Sequence, residues 1–249
     1  MLQQESNGVT VANLTKSFGE LTVLDNISFS IAEGELLAFV GPTGCGKTTF
    51  LNCLAGLTPP SSGSISIGGE PADLTKHNLA YVFQEPTVLP WLTVRENIAY
   101  GMRIKRLSAK VVRERLDRIM ALVGLADMGD LYPNQISASM MQRVAVARAF
   151  AVEPDLLLMD EPYGQMDIKL RFYLEDELVR LWGTLKSTVL FVTHNIEEAV
   201  YIADRIIILT PKPTTVRSEI VVDLPRPRNV LAPEFLAIRR NVTELIRWW

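Results

Sequence analysis

Cysteine is scarce in this chain. The two that occur are Cys45, in a glycine-rich loop, and Cys53, on the helix-like run after it, a placement that suggests neither a disulfide nor a metal site. Both read as small residues that pack. Long apolar runs are missing too: none approaches the roughly 18 to 20 residues that a membrane-crossing helix needs. The polar opening MLQQESNG does not read as a signal peptide, so a soluble, cytosolic chain is expected. Nor is there an excess of one charge. A net charge of -3 and a pI near 5.6 give no general basic surface, and nucleic acid is not an expected partner. What remains, 249 residues with 48% hydrophobic and 21% charged content, is the composition of a globular chain: one domain with a subdomain.

The stretch around which the rest is organised is Gly41-Pro42-Thr43-Gly44-Cys45-Gly46-Lys47-Thr48-Thr49, which fits G-x-x-x-x-G-K-[ST]. The apolar run Leu36–Val40 before it reads as a buried strand, and a helix opens near Lys47. Glycines let backbone N–H groups turn inward around an anion, and a helix aims its positive dipole end at the same point. The reading is a phosphate-binding loop in which Lys47 holds β- and γ-phosphates and the Thr48 hydroxyl ligands Mg²⁺. A glycine-rich turn can also occur without any ligand, but here it stands between a strand and a helix.

Ahead of this loop the residues from Val9 to Ile31 alternate, with Gly19 separating two strand-like segments, which reads as antiparallel sheet. Phe18 beside Gly19 could stack on a flat base or simply pack. After the loop the helix stops at Gly56, short strands are expected at 64–67 and 79–83, and Gly68-Gly69 forms the turn after the first. Gln84 ends the second. Between 85 and 152 the period becomes helical: Thr93-Val94-Arg95-Glu96 is a capping box, Val112, Leu116, Ile119, Met120 and Val123 share one helix face ending at Gly124, and a third helix runs over 137–151. Asp155-Leu156-Leu157-Leu158-Met159-Asp160-Glu161 is an apolar strand with two carboxylates at its carboxyl end, where open α/β sheets bind ligands. Asp160 is expected on Mg²⁺ and Glu161 on the water that attacks the γ-phosphate. A helix over 168–182, a strand over 188–192, a helix over 197–203 and a strand over 206–209 follow. His194 again sits at a strand's carboxyl end, so a functional reading stands beside the structural one for it.

With Gln84, the run 137–148, Asp160-Glu161 and His194 in this order, the chain resembles the nucleotide-binding subunit of an ATP-binding cassette (ABC) transporter over nearly all its length. The resemblance implies a P-loop NTPase (RecA-like) α/β core with an N-terminal antiparallel β subdomain and an inserted α-helical subdomain. That is one domain over 1–249, with core at about 8–85 and 152–230, helical subdomain at about 86–151 and a C-terminal helix at about 233–249. It also makes Gly41, Pro42, Thr43, Gly44, Cys45, Gly46, Lys47, Thr48 and Thr49 the Walker A motif, and residues 156–160 the Walker B motif with Glu161 as catalytic acid-base. Gln84 becomes the Q-loop residue, catalytic and on Mg²⁺, His194 the switch histidine, and Phe18 the aromatic on adenine. ATP and Mg²⁺ are the implied cofactors. The implied partners are a second ATPase subunit, an integral membrane permease contacting residues 85–91, from Glu85 to Trp91, and indirectly an extracytoplasmic solute-binding protein. The implied place is the cytoplasmic face of the membrane. The stretches 89–97 and 197–205 look like importers of nitrate, sulfonate, taurine and similar solutes.

Three departures from the family pattern stand out. The signature Leu-Ser-Gly-Gly is Ile136-Ser137-Ala138-Ser139 here, Gln165 enlarges a loop that crosses the dimer interface, and Asn195 replaces an aspartate. The family signature presents a serine, here Ser137, and backbone N–H groups to the partner's γ-phosphate. Two Cβ atoms and the loss of positive φ are expected to slow it unless Ser139 supplies a substitute hydroxyl or a different subunit supplies intact glycines. A nucleotide-binding regulatory module of poor turnover is therefore one rival reading, and a soluble ABC protein of DNA repair or ribosomes another. Trp91 is either an aromatic anchor for the permease or packed inside the helical region, and Trp248-Trp249 either touches membrane or caps the domain on an amphipathic helix.

Overall fold

The computed structural model describes residues 8–246 apart from 74, 75, 165 and 167, so the readings made of Gln165 and of Trp248-Trp249 lie outside the described residues. The alternating N-terminal stretch forms β1 (Val9–Phe18) and β2 (Leu21–Ile31), paired antiparallel from Val9↔Ile31 to Phe18↔Leu21. Next come β3 (Leu36–Val40), α1 (Lys47–Leu54), β4 (Ser62–Ile67), the short β5 (Glu70–Pro71) and β6 (Leu79–Val82). Three helices follow, α2 (Val94–Ile104), α3 (Ala109–Leu122) and α4 (Ala138–Ala151), and then β7 (Leu156–Asp160) and α5 (Ile168–Leu185). The chain continues through β8 (Val189–Thr193), α6 (Ile196–Ile202), β9 (Arg205–Leu209), β10 (Val216–Val221) and α7 (Pro233–Ile246).

Two sheets result. A four-stranded antiparallel sheet runs β2-β1-β4-β5, and a six-stranded sheet runs β10-β9-β3-β8-β7-β6, parallel except for β10. The central strands are apolar throughout because they are buried on both faces. Along β3, Leu37 and Phe39 point to the side of α1 and the antiparallel sheet, while Leu36, Ala38 and Val40 point to the helices α2–α6. On the first side Phe29, Phe39 and Phe50 meet with ring centroids 5.0 to 5.5 Å apart, tying β2, β3 and α1 together. The capping box forms as its spacing predicts: Thr93 Oγ1 accepts from Glu96 N, and Glu96 Oε2 accepts from Thr93 N.

Several boundaries differ from expectation. The strand read over 79–83 stops at Val82, leaving Gln84 in the following loop, and α2 runs past Tyr100 to Ile104. The helix read over 168–182 extends to Leu185, and β8 and α6 lie one residue from their expected spans. β5 and β10 carry no clear signal in sequence, since β10 is an edge strand of mixed exposure. The C-terminal helix read over 233–249 is described from Pro233 to Ile246.

Behind β8 the helices enclose acid. Glu175 of α5 is 1% exposed and Glu198 of α6 4% exposed; Glu198 Oε2 accepts from Thr193 Oγ1. Burial, then repulsion from Glu198, lifts the Glu175 pKa to about 8, with the Arg171 guanidinium opposing. Burial likewise lifts Glu198 to about 7, with the Thr193 hydrogen bond and Arg171 opposing. Both folded values exceed the 4.5 of an unperturbed glutamate, so the folded chain holds more protons than the unfolded one between these limits. The contribution of Glu175 to stability is fully present below about pH 4.5 and is lost as pH climbs through about 8. Thermal melting of the parent is expected to fall between pH 5.5 and 8.5, and E175Q, which does not titrate, to reduce that fall by about 4 °C. An unchanged slope in E175Q would show that Glu175 ionises normally.

Candidate functional site

In sheet order β3, β8, β7 and β6 are neighbours, and their carboxyl ends carry in turn the glycine-rich loop of residues 41–49, His194, Asp160-Glu161 and, two residues past β6, Gln84. Residues far apart in sequence therefore line one edge, as in other open parallel sheets. A cleft of about 340 Å³ there is lined by Thr43, Gly44, Gly46, Lys47, Thr48, Thr49, Gln84, Asp160, Glu161 and Lys212.

The loop holds its shape through backbone that L side chains rarely adopt. Gly44 has φ of +78° and Gly46 +114°, and a Cβ on Gly46 would lie 2.7 Å from Val23 Cγ1. From the far side the buried Thr214 hydroxyl donates to the Cys45 carbonyl. The loop thus lines the cleft with α1 opening directly behind it at Lys47, and a glycine-rich turn ahead of a helix N-terminus suits an anion. Lys47 is only 5% exposed, and its ammonium donates to Gly41 O at 3.0 Å and Pro42 O at 3.1 Å. It also lies 3.3 Å from Glu161 Oε1.

Glu161 links two of these elements. Its other oxygen, Oε2, is 2.8 Å from His194 Nδ1, and its backbone is left-handed at φ 45°. That conformation is strained for a glutamate and is held by Glu161 N donating to Val192 O and Gly164 N donating to Glu161 O. Asp160 is 9% exposed, takes the Tyr81 hydroxyl at 3.3 Å and is hydrogen-bonded by Thr48. Burial raises its pKa, the charge of Glu161 adds to this, and the hydrogen bonds from Thr48 and Tyr81 and the charge of Lys47 oppose it. Burial beside Asp160 pushes the Tyr81 phenol far up, so it stays a donor. A hydroxyl and a carboxylate already in contact, with a second carboxylate adjacent, form an all-oxygen donor set that fits Mg²⁺. The glycine cradle and the buried ammonium fit a polyphosphate.

Not every residue expected at the site is gathered into it. Phe18 does not line the cleft; its ring is 52% exposed, with Lys16 Nζ 4.7 Å from its centroid. Ser137 caps α4, its Oγ accepting from Met140 N at 3.3 Å and lying 2.8 Å from Ser139 Oγ. Ala138 and Ser139 instead border a separate pocket of about 210 Å³ with Gln84, Pro86, Pro162 and Met166. Neither has positive φ, since both lie in the first turn of α4. The expected loss of positive φ is thus corrected, because an ordinary helical start needs none. Asn195 caps α6, its Oδ1 accepting from Glu197 N and Glu198 N, the task an aspartate would perform there. Sequence reasoning missed Tyr81, Lys212 and Thr214, which no motif marks. G46A adds left-handed strain of about 1–2 kcal/mol and overpacking of about 1–3 kcal/mol. Its melting temperature is expected to drop by roughly 6 °C or more and ATP affinity to fall with it; an unchanged melting curve would show that the loop has room.

The family model described as ABC transporter matches residues 24–164. The chain is 41% identical over 221 residues to the aliphatic sulfonates import ATP-binding protein of Bacillus subtilis (strain 168), covering 89% of this chain and 86% of the relative. The protein of the same name in Bacillus cereus (strain ATCC 10987) is 38% identical, with 95% of this chain and 94% of the relative covered. An uncharacterized ABC transporter ATP-binding protein of Methanocaldococcus jannaschii is 39% identical, with 95% and 90% covered. This chain belongs to the ABC transporter family, as an ATP-binding ATPase subunit.

Proposed function

We propose that this chain powers an importer of a small organic anion, with the aliphatic sulfonates as the leading solute class. The names of the Bacillus relatives support that class. In this reading the whole chain is one cassette, with the core at about 8–85 and 152–230 and the helices of about 86–151 inserted. Two ATPase subunits close on ATP and reopen after hydrolysis, and a membrane permease follows the motion. The chain sits on the cytoplasmic face of the membrane as a peripheral subunit. No helix among the described residues is long and apolar enough to cross a bilayer.

The observation that carries the chemistry is Glu161 joined at one oxygen to Lys47 and at the other to His194. Lys47 and the loop N–H groups bind the phosphates. Thr48, Asp160 and Gln84 would hold Mg²⁺, which when bound would supply positive charge against the phosphates. Glu161 takes the proton of the attacking water, and His194 orients it through the Oε2 contact. The parent, reconstituted with its permease, is expected to import an alkanesulfonate at the expense of ATP. E161Q should bind ATP within about threefold of the parent while turnover and uptake fall by about 100-fold or more, the scale of a lost general base. K47A should instead lose ATP affinity. Parental turnover in E161Q would remove Glu161 from this role.

The permease contact is assigned to residues 85–91. Trp91 is 69% exposed, which favours an anchor over a core residue. W91A is expected to lower recovery of the permease complex about fivefold, the effect of losing an anchor worth ~1 kcal/mol. ATP affinity of the isolated chain should stay at the parental value. Recovery equal to the parent's would place the contact elsewhere.

A further inference from the structure

Lys212 stands in the loop between β9 and β10, beyond every motif of the nucleotide site, yet it lines the same cleft as Gly44, Gly46 and Lys47. We propose that Lys212 is a second cationic ligand of the nucleotide, its ammonium binding phosphate oxygens from the side of the loop away from Glu161. The assignment rests on the phosphate-loop reading of residues 41–49 and extends it to a residue outside that loop.

The loop that carries Lys212 is fastened at both ends. Thr210 N donates to Thr215 O at 3.0 Å, Thr215 N to Thr210 Oγ1 at 2.8 Å, and Thr210 Oγ1 to Pro213 O at 3.3 Å. Thr214 then ties it to the site: its N donates to Val23 O and its O accepts from Asp25 N, each at 2.9 Å, and its buried hydroxyl donates to Cys45 O within the phosphate loop. Lys212 is thus fixed relative to the glycine cradle while its own side chain stays exposed. Its charge already acts there, since it opposes the upward push that burial gives the Cys45 thiol, as Lys47 does more strongly.

The two cations of the cleft are committed differently. Lys47 is engaged by Glu161 and two loop carbonyls. Lys212 has no hydrogen-bonded or ionic partner among the described residues, so its positive charge is open to an incoming anion. The cleft's carboxylates, Asp160 and Glu161, stand at the carboxyl end of β7, whereas Lys212 follows β9, on the other side of β3 in the sheet. A polyphosphate lying along the cradle therefore meets an acid-rich end and a basic end. An ammonium on a flexible stem suits such a contact as a point charge.

The test is calorimetric titration of the full chain with ATP and with ADP, at low salt and again at high salt. K212A is expected to weaken both nucleotides about tenfold at low salt, a difference of about 1.4 kcal/mol. K212R should stay within about threefold of the parent, and the parent's affinity should fall more steeply with salt than that of K212A. ADP and ATP binding to K212A within about twofold of the parent would overturn the assignment, as would K212R losing as much as K212A. K47A measured alongside separates the two levels: parental affinity in K47A would sink the phosphate-loop reading itself, whereas loss in K47A with none in K212A would sink Lys212 alone.

Discussion

A buried ammonium dictates much of this molecule. Lys47 is almost wholly removed from water, and an unpaired charge in that position would be costly. Its compensation comes from two carbonyls of its own loop and from a carboxylate delivered by a different strand. For the carboxylate to arrive, β7 must reach the same edge as β3, and Glu161 must turn left-handed after it. For the carbonyls to arrive, the loop must coil tightly, and Gly46 then lies so close to β2 and Thr214 that a side chain there would meet them. Sheet order, loop conformation and backbone strain at the acid thus answer a single electrostatic demand.

That demand also explains what could be read from the chain beforehand. Uninterrupted apolar strands, here Leu36–Val40 and Leu156–Asp160, announce burial on both faces, and the residues after them announce the site. The capping box at Thr93 and the helix-ending Gly124 are local chemistry, visible in a window of four or five residues. Lys212, Tyr81 and Thr214 are different. Nothing in their neighbours marks them; they matter because β9 happens to lie beside β3 and β6 beside β7. Likewise Glu175 looks like any acid on an amphipathic helix, and only the packing of α5 on α6 encloses it near Glu198. Local signals carry elements and motifs, whereas the partners of a side chain belong to tertiary arrangement.

The signature region shows the same division. Read alone, Ala138 and Ser139 look like damage to a motif built on glycine. Placed at the start of α4, they are ordinary helical residues behind an ordinary serine cap, and the Ser139 hydroxyl sits against that of Ser137. What the substitution adds is a polar atom and two methyl-sized bumps on an exposed helix start, without strain in the chain that bears them.

The order of the central sheet has a consequence for how the protein is born. β3, which launches the phosphate loop, has as its neighbours β8 and β9, so a nascent chain that has just exposed its glycine loop has no partner for the strand beneath it. Until residues near 190 to 209 leave the ribosome, only the antiparallel pairing of β1 with β2 and β4 can shelter that strand through the Phe29, Phe39 and Phe50 cluster. Such long-range parallel pairing is intrinsically slow to form. The edge that carries the glycine loop therefore cannot be completed until β8 and β9 have been made, long after β3 itself.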